Sequence, residues 1–240
     1  MRARAEAARP ALPPHDAAAT TPHGAYDVDA MAPAGGRAGV EAWAARLAEV
    51  RAGAAARGGE FPASVLAALA TLPPTATDPH TSRRLRCLAL AAAALRVAAA
   101  PRTLRPDPKA GGDAALAASV GLPEDLLSAM LAAHADRGTR SSLHTLALRA
   151  LGAVCLLLAH DGDMPPSAFN SLRADLKLPP KETVALLREA GATAVSAGRA
   201  PADSAGKTFA LYRVRLLTGG AGETLGDCFP KLKVGRRAGA

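Results

Sequence analysis

The sequence has few of the residues that hold together small cross-linked or aromatic-rich folds. Its 240 residues include only three cysteines, Cys87, Cys155 and Cys228, and none of them belongs to a CxxC pair. An odd number of widely spaced cysteines indicates neither a disulfide framework nor a zinc knuckle. Aromatic side chains make up 3% of the chain, and the abundance of alanine in their place favours helices over sheets.

A long apolar run without charges is also lacking. The most hydrophobic stretch, residues 146–159, contains Arg149, so we expect no membrane span and no membrane partner. Residues 1–14 are rich in arginine and alanine, as organelle transit peptides are, but they include Glu6 and no serine. Because of the arginine and alanine content, an organelle nucleic-acid-binding protein stays open as an alternative.

Negative charge is scarce relative to positive charge. The 29 lysines and arginines outnumber 21 acidic residues, which gives a formal net charge of +8 and a pI near 10.0. This balance predicts an anionic partner such as nucleic acid. A GC-rich genome would also raise the arginine content, so the placement of the cations matters more than their number.

The amino-terminal third is predicted to be loosely organised. Residues 1–37 contain prolines and glycines and no sustained period, which indicates an extended linker. Residues 12–37 lack a packing pattern, so we expect them to be disordered in the free protein and ordered only against a partner. Short helices are predicted at residues 40–56 and 62–72. A strong helix follows at residues 81–99, where apolar residues recur every three or four positions and Ser82 is the expected N-cap.

The rest of the chain repeats one order of elements. A helix pair at residues 113–135 follows the first long helix. A second long helix is predicted at residues 142–160, followed by short helices at residues 167–176 and 181–190. The last element is a strand at residues 207–217 that alternates apolar residues with Arg213 and Arg215.

A long helix, two short helices and a basic hairpin in this order are typical of a winged helix. The predicted fold class is therefore mainly α, a tandem winged-helix (helix-turn-helix) domain with small β wings after an extended linker with short helices. The predicted divisions are residues 1–80 for the linker, 81–141 for the first winged helix, and 142–240 for the second with its basic wing and tail.

The helix-turn-helix stretch at residues 169–195 carries cations around its corner. Pro180 is predicted to end the first helix and to open the second. Phe169, Leu172 and Leu176 would face inward on the first helix, with Val184 and Leu187 inward on the second. Arg173 and Lys177 then lie on the outer face of the first helix, and Lys181, Ala185 and Arg188 on that of the second. The small Ala185 would let a phosphate backbone approach. Ordinary solvated charges are the alternative, since Glu182 and Glu189 are close neighbours.

A second group of cations lies in the predicted wing and tail. From residue 199 onward the chain has eight cations and three anions, a balance that suits phosphate contact without sequence readout. The complete set of predicted DNA-binding residues is Arg173, Lys177, Lys181, Arg188, Lys207, Arg213, Arg215, Lys231 and Lys233.

One stretch resembles a phosphate-binding loop and another a metal site, and we reject both. Residues 201–208, PADSAGKT, end like a phosphate-binding loop, but Pro201 replaces the first glycine and a strand pattern follows. An enzyme is thus the most remote alternative. His160, Asp161 and Asp163 are more typical of a solvated turn than of a metal site. We predict no catalytic residue, no metal and no cofactor.

Several stretches resemble one family. Residues 12–31, LPPHDAAATTPHGAYDVDAM, resemble the linker of the RNA polymerase I-specific subunit of the forty-nine-kilodalton class, with its proline pair, alanine-threonine stretch and Tyr-x-x-Asp-like step. DLKLPPKE at residues 175–182, REAGA at residues 188–192 and FPK at residues 229–231 resemble its second winged helix and its ending. The stretches occur in the family's order, and this collinearity carries the resemblance.

The resemblance implies a non-catalytic polymerase I subunit of the nucleus and nucleolus. Its linker would cross the polymerase cleft, and its tandem winged helix would bind double-stranded DNA and support initiation and elongation on ribosomal RNA genes. The implied partners are the polymerase I core and a partner subunit. The matching DNA-facing positions are Arg173, Lys177, Lys181, Arg188 and the wing arginines.

Two departures accompany the resemblance. The family's amino-terminal dimerisation barrel has no counterpart in these residues, which leaves a partial gene model, a short form or a separately encoded barrel as alternatives. The step from the last strand to FPK is lengthened by residues 217–228, so the alignment of the wing stays open. A free-standing winged-helix regulator that reads a specific sequence is the main alternative function.

Overall fold

The computed structural model describes residues 11–54, 59–73, 78–107, 112–199, 210–217 and 222–230. These residues form a mainly helical protein with one three-stranded antiparallel sheet, which confirms the predicted mainly α class. In chain order the elements are α1 (Pro22–Ala25), α2 (Val28–Met31), α3 (Arg37–Arg51), α4 (Ala63–Leu69), α5 (Pro79–Ala99), α6 (Gly112–Val120), α7 (Glu124–His134), α8 (Ser142–Ala159), β1 (Asp163–Met164), α9 (Pro166–Leu176), α10 (Pro180–Glu189), β2 (Ala192–Arg199), β3 (Ala210–Leu216) and α11 (Leu225–Cys228).

Helices α5 and α8 form the centre of the core. Gly152 on α8 lets the two helices approach closely, since a Cβ added there would lie 2.9 Å from Cγ of Leu95. The predicted N-cap of α5 is wrong, because the helix begins earlier. Asp78 accepts a hydrogen bond from the backbone N–H of Thr81, and Pro79 supplies the first helical residue.

Helix α8 is long and apolar enough to cross a membrane by length and composition. In this structure 61% of it is buried, and the core helix of a soluble protein meets the same criterion. Its packing against α5 accounts for the apolar sequence without a membrane.

Several amino-terminal residues pack against the rest of the chain, so the expectation that residues 12–37 lack a packing pattern is wrong. Tyr26 is fully buried, and its hydroxyl donates to the carbonyl oxygen of Ala190 over 2.9 Å. Val28 and Met31 are also buried. The two helices of this segment have only four residues each, too few to show a helical period in the sequence. We call residues 15–31 the amino-terminal strap.

The sheet has the strand order β1-β3-β2. Along β3, Val214 and Leu216 are buried while Arg213 and Arg215 are exposed, so the predicted alternation is confirmed. Strand β2 was not predicted, because most of its residues are exposed and no apolar alternation marks it. Residues 207–209 of the predicted strand lie outside the described residues.

Among the described residues, most of the buried apolar side chains belong to a cluster that extends from Ala25 to Leu225. It includes residues of all three predicted divisions, among them Leu47 of α3, Leu126 of α7 and Leu172 of α9. The division into a linker and two winged helices stays a prediction.

Candidate nucleic-acid interface

The corner between α9 and α10 is built differently from the prediction. Helix α9 ends at Leu176, and Lys177 is its C-cap in a left-handed conformation with φ 53°. Its backbone N–H donates to the carbonyl oxygen of Ala174. Pro180 opens α10 as predicted. However, α9 is ended by Lys177 in the left-handed conformation and not by the proline.

The inner faces of these two helices agree with the sequence analysis. Leu172 and Leu176 of α9 are buried, and so are Val184 and Leu187 of α10. Phe169 is also fully buried, and its ring lies edge-on to that of Tyr212 with the ring centres 5.4 Å apart. This packing fixes which residues of α10 face outward.

Helix α10 separates its charges by sign. Lys181 and Arg188 are exposed, and because seven residues are nearly two helical turns, both point in nearly the same direction. Glu182 and Glu189 are exposed about 100° away around the axis. They lie beside an apolar groove that Ala185 also lines, together with Leu143 and Leu146 of α8. Ala185 therefore borders this groove as well as the cations, and a phosphate would have to approach from the lysine side.

The two predicted cations of α9 have different surroundings. Arg173 is half-buried, and its guanidinium donates to Oδ1 of Asn170 over 3.2 Å and 3.3 Å. Lys177 is exposed, but as the C-cap it lies at the corner and not on the outer face of the helix. Lys177, Lys181 and Arg188 are hereafter the helix-pair cations.

On the outer face of the sheet, two of the predicted DNA-binding residues, Arg213 and Arg215, share one acidic partner, Asp163. The sequence analysis did not predict this pairing. Arg213 donates two hydrogen bonds to Asp163, over 2.8 Å and 2.6 Å, and Nε of Arg215 lies 3.4 Å from the same carboxylate. The hydrogen bonds from Arg213 are the main cause that lowers the pKa of Asp163. In return, Asp163 raises the pKa of Arg213. The two arginines therefore present a net charge of about one to an anion.

Three predicted DNA-binding residues, Lys207, Lys231 and Lys233, lie outside the described residues. The same holds for the loop-like stretch at residues 201–208.

Three of the stretches that resemble a known family contact one another around the strap. Tyr26 of the Tyr-x-x-Asp step binds the carbonyl of Ala190, which is the C-cap of α10, and Asp29 accepts from Nη1 of Arg86 over 2.7 Å. The ring of Phe229 lies edge-on to that of His15, with the ring centres 5.2 Å apart. The strap thus connects the C-terminal end of the helix that bears Lys181 to the helical core. Sequence reasoning missed these contacts because the partners are far apart in the chain.

Comparison with known proteins identifies a family for this sequence. A family model described as A49-like RNA polymerase I associated factor matches residues 1–214. A search of curated proteins finds no match. The family resemblance drawn from the sequence is therefore confirmed.

Proposed function

The chain belongs to the A49-like RNA polymerase I associated factor family, and on this premise we propose that it is a non-catalytic subunit of RNA polymerase I that holds double-stranded DNA. In this proposal it supports initiation and elongation on ribosomal RNA genes in the nucleolus, beside the polymerase core and a partner subunit. An associated factor of polymerase I is an accessory protein, which agrees with a role other than catalysis.

The order of elements from α8 to β3 supports a winged helix in this part of the chain. A long helix, a short strand, a helix, a turn, a second helix and a two-stranded hairpin follow one another, and the first strand joins the edge of the hairpin. We take α10 as the helix that faces DNA. The domain division predicted from sequence, with a first winged helix at residues 81–141, is retained as part of the proposal.

One observation carries the DNA-binding proposal. The inner face of α10 is fixed by Val184 and Leu187, which leaves Lys181 and Arg188 exposed on one face, about 10 Å apart along the helix axis. Long cationic side chains on a rigid helix can reach phosphate oxygens, and contacts of this kind give affinity without reading bases. Binding should therefore be nearly independent of sequence.

The expected number of phosphate contacts follows from the charges on the surface. The helix-pair cations supply three positive charges, while Arg213 and Arg215 share Asp163 and add a net charge of about one. About four neutralised phosphates give a slope of log affinity against log salt near −3 to −4 on duplex DNA. Lys207, Lys231 and Lys233 would steepen this slope if they contact DNA.

Co-purification separates the proposal from its alternatives. We expect a tagged chain expressed in its own cells to bring down polymerase I subunits and to accumulate in the nucleolus. A free-standing regulator would instead show a strong sequence preference on naked DNA and no polymerase. Accumulation in an organelle would support an organelle nucleic-acid-binding protein and contradict our proposal.

A further inference from the structure

Three polar side chains from distant parts of the chain meet beside the strap. His23 belongs to α1, His80 lies in the first turn of α5, and Asp161 lies in the turn between α8 and β1. One ligand atom from each residue lies within 4.8 Å of the other two. Nε2 of His80 is 2.9 Å from Oδ1 of Asp161, and Nε2 of His23 is 3.3 Å from the same oxygen.

We propose that this cluster binds Zn²⁺, with Nε2 of His23, Nε2 of His80 and Oδ1 of Asp161 as protein ligands and water as the fourth. In a tetrahedral zinc site with bonds of about 2.0–2.1 Å, neighbouring ligand atoms are about 3.3 Å apart. The two nitrogen–oxygen distances are already close to this value. Two imidazoles with one carboxylate suit Zn²⁺ better than Mg²⁺ or Ca²⁺, which prefer oxygen ligands.

The carboxylate of Asp161 is held in position by its own partners. Nη1 of Arg84 lies 3.2 Å from Oδ2, which leaves Oδ1 for the histidines. Nε of Arg84 in turn donates to the carbonyl oxygen of Ala159 over 2.6 Å. Outer hydrogen bonds of this kind commonly orient the ligands of metal sites. The positive charge of Arg84 also repels a dication, so we expect weaker binding than at zinc sites made of four thiolates.

The backbone around the cluster favours the same arrangement. Asp161 has a φ of 54°, which turns the chain sharply after α8. The next residue, Gly162, lies so close to Pro22 that an added Cβ would be 2.5 Å from the proline Cγ. The turn therefore presses against the residue that precedes His23. His80 and Asp161 have side chains that are 52% and 43% exposed, so an ion can reach the site from solvent.

A bound ion would fasten the strap to both central helices. The strap already has the Tyr26 and Asp29 anchors, and His23 would add a third anchor next to the start of α5 and the end of α8. None of the three ligands is a proposed DNA-binding residue, and the test below does not depend on DNA binding.

Cobalt absorption and thermal unfolding of the full chain test this proposal. After treatment with a chelator, added Co²⁺ should give the intense visible bands of a tetrahedral ion, saturate at one ion per chain, and be displaced by Zn²⁺. Saturating Zn²⁺ should raise the unfolding midpoint by several degrees, since the three ligands come together only in the folded state. Thiolate charge-transfer absorption would point to Cys228 instead and would overturn the assignment.

Two matched variants separate the metal site from ordinary hydrogen bonding. His80→Gln keeps an N–H donor for Asp161 but loses the imidazole ligand, so it should unfold like the wild type without metal and lose the response to Zn²⁺. His144→Gln alters a histidine in the capping box of α8, where glutamine is an equally suitable residue, and should keep the full response. A Zn²⁺ response that is equal in both variants, or absent from the wild type, would contradict the proposal.

Discussion

The pairing of Asp163 with Arg213 and Arg215 predicts a substitution that strengthens DNA binding. Asp163→Asn removes the negative charge that these arginines share and leaves a side chain of nearly the same shape. The pKa of Asp163 is lowered by Arg213, so the carboxylate is ionised at neutral pH. The pairing is present above the ordinary pKa of an aspartate and is lost only as the pH falls through the lowered value.

The size of the effect follows from counterion release. One additional neutralised phosphate changes log affinity by about 0.9 for each tenfold change in salt. At an ionic strength of about 0.1 M, this corresponds to an increase in affinity between about threefold and tenfold, and the salt slope should become more negative by about one. The cost in stability should be small, about 0.2–1 kcal/mol, because the three side chains are 36% to 52% exposed.

Fluorescence anisotropy with a labelled duplex, repeated over a series of salt concentrations, measures both quantities. Glu124→Gln is the matched control, because it removes one exposed negative charge from the first turn of α7, away from the sheet. We expect the control to change affinity much less than Asp163→Asn does. If both variants bind alike, or if Asp163→Asn binds no better than the wild type while its circular dichroism is normal, the outer face of the sheet does not contact DNA.

Three further predictions concern stability and are measured by chemical denaturation. Leu187→Ala should lower the free energy of unfolding by roughly 2–5 kcal/mol, because the side chain is fully buried beneath the helix corner; a loss below about 1 kcal/mol would mean that the inner face is wrongly assigned. Tyr26→Phe should cost about 1–2 kcal/mol, since it leaves the buried carbonyl of Ala190 without its hydroxyl donor, and an unchanged midpoint would argue against the strap contact. Arg140→Met should cost at least about 2 kcal/mol, because the buried guanidinium donates to the carbonyls of Val97, Ala100 and Pro101 at the end of α5; equal stability of this variant would exclude that capping role.

The sequence was informative where a repeating pattern is long or strongly amphipathic. Helices α5 and α8 have apolar residues over several turns, so both helices were predicted. Helix α10 has a short but clear apolar stripe, so its buried residues Val184 and Leu187 were predicted correctly. Strand β3 alternates buried and exposed residues, which identified Arg213 and Arg215 as outward-facing. These predictions rest on local periodicity alone.

The sequence was uninformative where a contact joins distant segments. Tyr26 and Ala190 are 164 residues apart, and α1 and α2 are too short to show a period. Strand β1 has two residues, so nothing local to Asp163 indicates that it pairs with Arg213 fifty positions later. The exposed positions of Lys181, Arg188, Arg213 and Arg215 could therefore be predicted, but the C-cap position of Lys177 and the partial neutralisation of the two strand arginines could not.

The central claim is that α10 faces DNA and binds it without reading its sequence. Its most direct test compares the full chain with Lys181→Glu/Arg188→Glu in salt titrations on two unrelated duplexes. A second pair, Arg37→Glu/Arg105→Glu, makes the same charge change at exposed residues outside the α8–β3 unit. We expect similar wild-type affinity for both duplexes with a slope near −3 to −4, and a loss of about two phosphate contacts in the α10 variant alone. Equal effects of the two variant pairs, or unchanged affinity in a correctly folded α10 variant, would contradict the claim.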